Sequence, residues 1–201
     1  MQKIGSGDSK NVYLHPEDND KLIKVMRRDV ASPDGGFSKH NALKRSMHQG
    51  IYRQFRREIL QFLQLCKSNY AKNIFSFPME KPFGFIKTDQ GLGLGVERIT
   101  APSGNGQTLS DLCNLGEFSP KHAQALEVFF NDCCELHLVF GEVNAAGILY
   151  TEKRSGRPEF VLVDGIGEKL LIPVRAMSKK INARYVRKVE QRIKKELAIV
   201  Y

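Results

Sequence analysis

The sequence predicts an α+β protein, and three observations carry that expectation. Short apolar strands separated by polar turns fill Lys3 to Met26, a hairpin pattern covers Pro82 to Arg98, and long amphipathic stretches occur at 41–67 and again near the end of the chain. With 201 residues, 41% hydrophobic and 26% charged, the chain suits a globular protein of one domain or two small lobes. No run approaches the roughly 18 apolar residues of a membrane span. Met1 leads straight into a glycine turn without an apolar signal region, so the expected location is the cytoplasm. Cys66, Cys113, Cys133 and Cys134 lack paired metal-ligand spacing and read as reduced, mostly buried thiols.

Taken in order, Ile4 to Ser9 is a glycine-rich turn, Val12 to Leu14 is apolar, Pro16 to Asp20 is a polar turn, and Leu22 to Met26 is a strand apolar on both faces. Lys24 stands in the middle of that strand. An ammonium flanked by Leu22 and Met26 needs an anionic partner if it is buried; the alternative is a lysine snorkelling from an edge strand. The following helix, 41–67, presents Leu43, Met47, Ile51, Phe55, Ile59, Phe62, Leu63 and Cys66, interrupted only by Gly50. Glu58 lies inside that apolar stripe, so pairing of Lys24 with Glu58 is expected.

Pro82 to Lys87 and Leu92 to Arg98 form a hairpin across Asp89-Gln90-Gly91, and the Gly-, Pro- and Ser-rich stretch from Ala101 to Gly106 is the candidate linker. Thr108 can cap a short helix through Leu112. Ser119-Pro120 starts a longer one with Leu126, Phe129, Phe130, Cys133, Leu136, His137 and Phe140 at helical spacing. His137 there reads as a core or hydrogen-bonded histidine ahead of a ligand.

The stretch from Phe140 to Gly167, FGEVNAAGILYTEKRSGRPEFVLVDGIG, places two carboxylates at the ends of apolar strands. Glu142 precedes the strand Ile148 to Tyr150, and Asp164 ends the strand Phe160 to Val163, with a turn around Ser155-Gly156. An Asp directly after a buried strand and before a permissive Gly sits where a chain leaves its core, an address shared by metal-binding carboxylates and ordinary turn residues.

The order of these parts resembles the protein-kinase-like fold: a glycine-rich turn between strands, a strand lysine, a helix glutamate, a five-strand first lobe, a hinge and a carboxylate pair around a hairpin. More specifically, GSGDSKNVYLHPEDNDKLIKVM, FRREIL and VLVDGIGEKLLIPV resemble the YrbL family of bacteria, the PhoP regulatory network proteins. The resemblance implies a two-lobe fold with a reduced C-terminal lobe. Residues 1–100 would form the first lobe, and 101–201 a helical second lobe holding the 140–167 hairpin and a basic helix over 175–199.

It further implies ATP and Mg²⁺ as ligands. Gly5 and Gly7 would cover the phosphates, with Lys10 where a kinase has its third glycine. Lys24 would hold phosphates, Glu58 would orient it, and the backbone around Glu97 to Ile99 would meet the adenine. Asp164 matches the metal-holding Asp of the DFG motif, here Asp-Gly-Ile-Gly, and a hard cation bridging phosphates needs such an oxygen. The catalytic loop departs from the kinase pattern. The places of the base Asp and the metal-holding Asn read Glu142 and Gly147, and glycine has no side chain with which to ligate. Glu142 has the chemistry of a base, but its extra methylene moves the oxygen, and a misplacement of roughly 1 Å can cost about 10²-fold. Asn144 could offer an amide oxygen. The short stretch after Asp-Gly-Ile-Gly leaves little for a protein-substrate platform.

The charge is uneven. Nine Lys or Arg from Arg175 onward, against Glu190 and Glu196, supply +7 of the formal +9. Met177, Ile181, Tyr185, Val189, Ile193 and Leu197 follow at steps of four, a line that drifts around a straight helix by about 40° per step. Such a helix can simply pack on the second lobe, bind an acidic protein, or bind nucleic acid, the last without an aromatic base-stacking pattern or a recognised DNA-binding motif. A membrane-surface helix would lack the usual Trp or Phe. Three functions follow: a kinase-like regulatory protein with a degenerate nucleotide and Mg²⁺ site and weak or absent phosphotransfer, an active atypical kinase with Glu142 as base, and a non-catalytic basic module.

Overall fold

A computed structural model of the chain describes residues 1–38, 50–169 and 172–199. These fall into two compact units, Met1–Ile59 with Lys81–Arg98, and Leu60–Glu80 with Ile99–Tyr201. The α+β class expected from the sequence is what the structure shows.

In the first unit, strands β1 (Lys3–Ser6), β2 (Lys10–Leu14), β3 (Lys21–Met26), β4 (Pro82–Thr88) and β5 (Gly91–Glu97) form an antiparallel sheet in the order β1-β2-β3-β5-β4. β3 is central and Ile23 to Met26 are all buried, which is why its apolar run does not alternate. β4 lies at the edge and alternates between half-buried and exposed residues. Helix α1 (Arg53–Ser68) brings the fully buried Phe55 into a core with Ile51, Met26, Leu94 and Val96. The expected 41–67 helix is α1 in its second half. Gly50–Tyr52 is a 3-10 turn, Gly50 has φ +43°, and 41–49, with Leu43 and Met47, lie outside the described residues. The division between units falls inside α1, after Ile59.

The second unit contains α2 (Leu109–Asn114), α3 (Pro120–Glu135), the hairpin β6 (Ile148–Thr151) and β7 (Glu159–Leu162), and helices α4 (Val174–Met177) and α5 (Lys179–Glu196). Thr108 caps α2 in a reciprocal arrangement with Asp111, whose backbone N-H donates to the Thr108 hydroxyl at 3.0 Å. The core gathers Leu65 and Phe77 with Leu126, Phe130, Phe140, Tyr150, Phe160, Val186 and Ile193.

Two helix expectations are corrected. α3 stops at Glu135 instead of running to Phe140, because His137 adopts φ +60° and takes the left-handed place after a helix end that glycine usually fills. The basic helix expected over 175–199 breaks at Ser178, which is extended and accepts a hydrogen bond from the Ile181 N-H as the cap of α5. The buried face of α5 is Asn182, Val186, Val189, Glu190 and Ile193, while Met177 and Ile181 are exposed. The steps-of-four line does drift, as helix geometry requires, and only its later members reach the core.

Candidate functional site

In the first unit, strand register and helix periodicity converge on one carboxylate. Val12 pairs with Lys24 across β2 and β3, and Lys10 pairs with Met26. Side chains two apart on a strand share a face, so Lys10, Val12 and Lys24 project to the same side. Glu58, three residues after Phe55 on α1, lies on the helix's buried side. Lys10 Nζ donates to Glu58 Oε1 at 2.9 Å, and Lys24 Nζ lies 3.5 Å from Oε2. All three residues are 6% exposed or less. Isolated charges at that depth are costly, and the shared carboxylate offsets the cost for both lysines. The turn before β2 closes through the Gly7 N-H donating to Lys10 O at 2.8 Å, and Gln54, one helical turn before Glu58, donates from Nε2 to Ser9 Oγ at 3.0 Å.

In the second unit, residues 139–143 run beside 163–167. Phe140 bridges Ile166, the Gly141 N-H donates to Gly165 O at 2.6 Å, and the Gly167 N-H donates to Val139 O at 2.8 Å. Gly165 has φ +76°, and a Cβ there would lie 2.4 Å from Glu142 O, so both the conformation and the close approach require glycine. Asp164 follows β7, and its Oδ1 accepts the Gly165 N-H at 2.9 Å. A Cβ on Gly147 would meet Asp164 Cβ at 3.4 Å, which makes the two residues immediate neighbours. Glu142 is exposed and ion-paired to Lys169. Asn144 Oδ1 accepts the Gly147 N-H at 2.9 Å, capping the 3-10 turn Ala145–Gly147.

Helix α5 holds this loop from outside. Asn182 Nδ2 donates to Leu138 O at 2.8 Å, Tyr185 Oη donates to Gly141 O at 3.1 Å, and the Arg192 guanidinium donates to Val143 O. From α1, Gln61 Nε2 donates to His137 O at 3.3 Å while its Oε1 accepts the Val139 N-H at 3.3 Å. His137 hydrogen-bonds through Nε2 to Arg175 O at 2.7 Å. The 137–143 stretch is therefore held largely by side chains donating to its carbonyls.

A family described as PhoP regulatory network protein YrbL matches residues 1–198. The chain belongs to the YrbL family. Among solved structures, this YrbL chain is similar to a double mutant of the PknI kinase domain of Mycobacterium tuberculosis, at 14% identity and a TM-score of 0.42 over 82% of its length. It spans 56% of that kinase domain. A search of the curated proteins finds no match.

In the YrbL chain the expected Lys24–Glu58 pair is present, and Lys24 lies on a central strand, not at an edge. Gly5 belongs to β1 opposite Val12, so the glycine turn is shorter than expected and starts after Ser6. Glu97 ends β5 and its N-H donates to Lys81 O at 2.9 Å; Ile99 is 3% exposed. Asn144 Oδ1 is already engaged as the cap just described, which uses one of its two lone pairs. Among the described residues no group of three or more His, Cys, Asp or Glu is arranged to hold a metal. The donor chemistry of Asp164 nonetheless fits Mg²⁺, which is commonly held by one or two carboxylates together with phosphate oxygens and water. No helix among the described residues is long and apolar enough to cross a membrane.

Five roles were missed: the pairing of Lys10 with Glu58, that of Lys169 with Glu142, and the carbonyl-holding side chains of Asn182, Tyr185 and Arg192. Lys10 had a readable signal. A hairpin pairing Leu14 with Leu22 puts Val12 opposite Lys24, and hence Lys10 on the lysine's own face.

Proposed function

We propose that this YrbL-family protein is a kinase-like regulatory protein that retains the framework of a nucleotide site and has little or no phosphotransfer. Lys24, oriented by Glu58, would hold nucleotide phosphates. Gly5 and Gly7 would let backbone N-H groups approach them, the backbone at Glu97 to Ile99 would meet the adenine, and Asp164 would be the metal-holding carboxylate. Bound Mg²⁺ would supply charge neutralisation to the phosphates. The observation that carries the reading is the buried Lys24–Glu58 ion pair combined with a glycine, Gly147, beside Asp164. A cation buried on a carboxylate is a ready phosphate holder, and the place of a second metal ligand offers no side chain. Glu142, the carboxylate at the place of a base, is ion-paired to the Lys169 ammonium, which disfavours the active-kinase alternative.

The test is transfer of labelled γ-phosphate by purified protein, alone and with general protein acceptors. The proposal expects ATP binding without transfer that depends on Asp164; transfer abolished by Asp164→Ala overturns it in favour of an active atypical kinase.

A second reading has its own support. Lys180, Arg184, Lys188 and Lys195 are exposed and share one face of α5, opposite the buried one, and no ion pair engages them among the described residues. Arg175, by contrast, is buried on Glu168, and Arg187 and Lys194 both hold Glu190. A row of cations with a one-turn repeat suits an acidic protein partner, with nucleic acid the less favoured occupant. Salt-sensitive binding to a polyanion, lost when Lys180, Arg184 and Lys188 become glutamine, tests this reading.

A further inference from the structure

The phosphate-holding role above rests on Lys24, yet Lys10 makes the shorter contact with the carboxylate meant to orient Lys24. Glu58 divides its two oxygens between the lysines, Oε1 to Lys10 at 2.9 Å and Oε2 to Lys24 at 3.5 Å. Two ammoniums tied to one carboxylate are close enough for a single polyphosphate to touch both. Lys10 also stands at the end of the glycine turn, whose closing bond runs from the Gly7 N-H to the Lys10 carbonyl. The turn itself is fastened to α1 at two points one helical turn apart, Gln54 on Ser9 and Glu58 on Lys10. Held this way, Lys10 is fixed in position at the end of the glycine turn.

We propose that Lys10 is a second phosphate-holding lysine, so that the first unit binds the polyphosphate of a nucleotide through two ammoniums oriented by the one carboxylate of Glu58. This rests on the nucleotide reading above and extends it. A second ammonium would add to the charge neutralisation of the phosphates within the first unit itself. Binding of ATP is then less dependent on Mg²⁺ than in a site with two metal ligands.

The test uses the unsubstituted 201-residue chain and an acyl phosphate derivative of ATP, which transfers its acyl group to lysine amines in contact with the phosphates. Acylation located by mass spectrometry is expected at Lys10 as well as Lys24, and excess ATP should protect both. Acylation at Lys24 alone, protected by ATP, overturns the role of Lys10 and leaves the nucleotide reading standing. Acylation at neither, with no response to ATP, overturns both.

Calorimetric titration of Lys10→Gln with ATP and with inorganic tripolyphosphate supplies the second arm, on protein whose folding is checked by circular dichroism. A loss of about tenfold or more in affinity for both probes is expected; affinities within about twofold of wild type for both overturn the proposal. If tripolyphosphate binds in a Lys10-dependent way and ATP binds no more tightly, the anion site stands and the nucleotide reading fails. Because labelling needs no substitution, an unfolded Lys10→Gln variant still leaves a deciding result.

Discussion

Replacing Glu58 with glutamine keeps the shape of the side chain and removes the charge that two buried lysines share. Side chains of Lys10, Lys24 and Glu58 are 7%, 6% and 5% exposed, so water does little to screen the loss. Removing one partner of a buried ion pair costs about 3–5 kcal/mol. In a chain of this size each kcal/mol moves the melting temperature by about 2–4 °C. Glu58→Gln should therefore lower it by roughly 6–20 °C. The lysines should rank by distance. Lys10→Met loses a charge-assisted hydrogen bond at 2.9 Å and Lys24→Met a looser contact at 3.5 Å, so the first costs more. Changing all three residues to apolar ones of similar volume should recover much of the loss, because no charge is then left buried without a partner. Chemical denaturation of the five proteins provides the assay. A Glu58→Gln variant within about 1 kcal/mol of wild type, or a Lys24→Met cost exceeding that of Lys10→Met, refutes the shared-carboxylate reasoning.

Further outcomes follow from the second unit. Gly165→Ala should lose at least about 1–3 kcal/mol in urea denaturation, since φ is +76° and the new Cβ meets the Glu142 carbonyl, whereas Gly156→Ala, also at positive φ but with open space around it, should cost less. Asn182→Ala removes the buried donor to the Leu138 carbonyl and should cost about 1–3 kcal/mol, with faster amide exchange at 138–143 as the local readout. Burial, followed by the nearby Lys121 ammonium, holds the His122 imidazole below its usual pKa of 6.5. The unfolded chain takes up that proton as pH drops below 6.5 and the folded chain resists it, so stability present above pH 6.5 is lost as pH falls toward the depressed folded value. Urea midpoints at neutral and mildly acidic pH should fall less steeply for His122→Gln than for wild type; equal slopes would exclude His122 as the source.

The parts most legible in the sequence were those where a single physical pattern acts alone. β3 announced itself by apolar residues on both faces around Lys24, β4 and β5 by two runs around Asp89-Gln90-Gly91, and α2 by the Thr108 cap. The Lys24–Glu58 pair was legible because each charge interrupts an apolar face. Lys10 was not, since a lysine beside a glycine turn looks solvated until strand register is worked out. The end of α3 was obscured because Leu136-His137-Leu138 carries neither glycine nor proline to mark it, yet His137 turns left-handed. α5 was misjudged for a related reason. Its buried face includes Asn182 and Glu190, the first donating through Nδ2 to Leu138 O and the second paired with Arg187 and Lys194, so apolarity alone pointed to Met177 and Ile181 instead. Burial of polar groups is decided by partners distant in sequence, and periodicity does not carry that information.

The YrbL family membership leaves the chemistry to be decided by the residues themselves, because fold and function separate readily. Here the residues divide into two buried lysines sharing the Glu58 carboxylate and a loop in which Glu142 is ion-paired, Asn144 caps a turn and Gly147 has no side chain. Retained binding with diminished transfer is the combination proposed from them.

Thermal unfolding of the wild-type protein in ATP, with and without Mg²⁺, bears most directly on whether a nucleotide binds at all. Ligand at about 100 times its dissociation constant adds about 2.7 kcal/mol, a rise of roughly 5–10 °C for this chain, and the rise should vanish in Lys24→Ala. An unchanged melting temperature at millimolar ATP in both conditions contradicts the account.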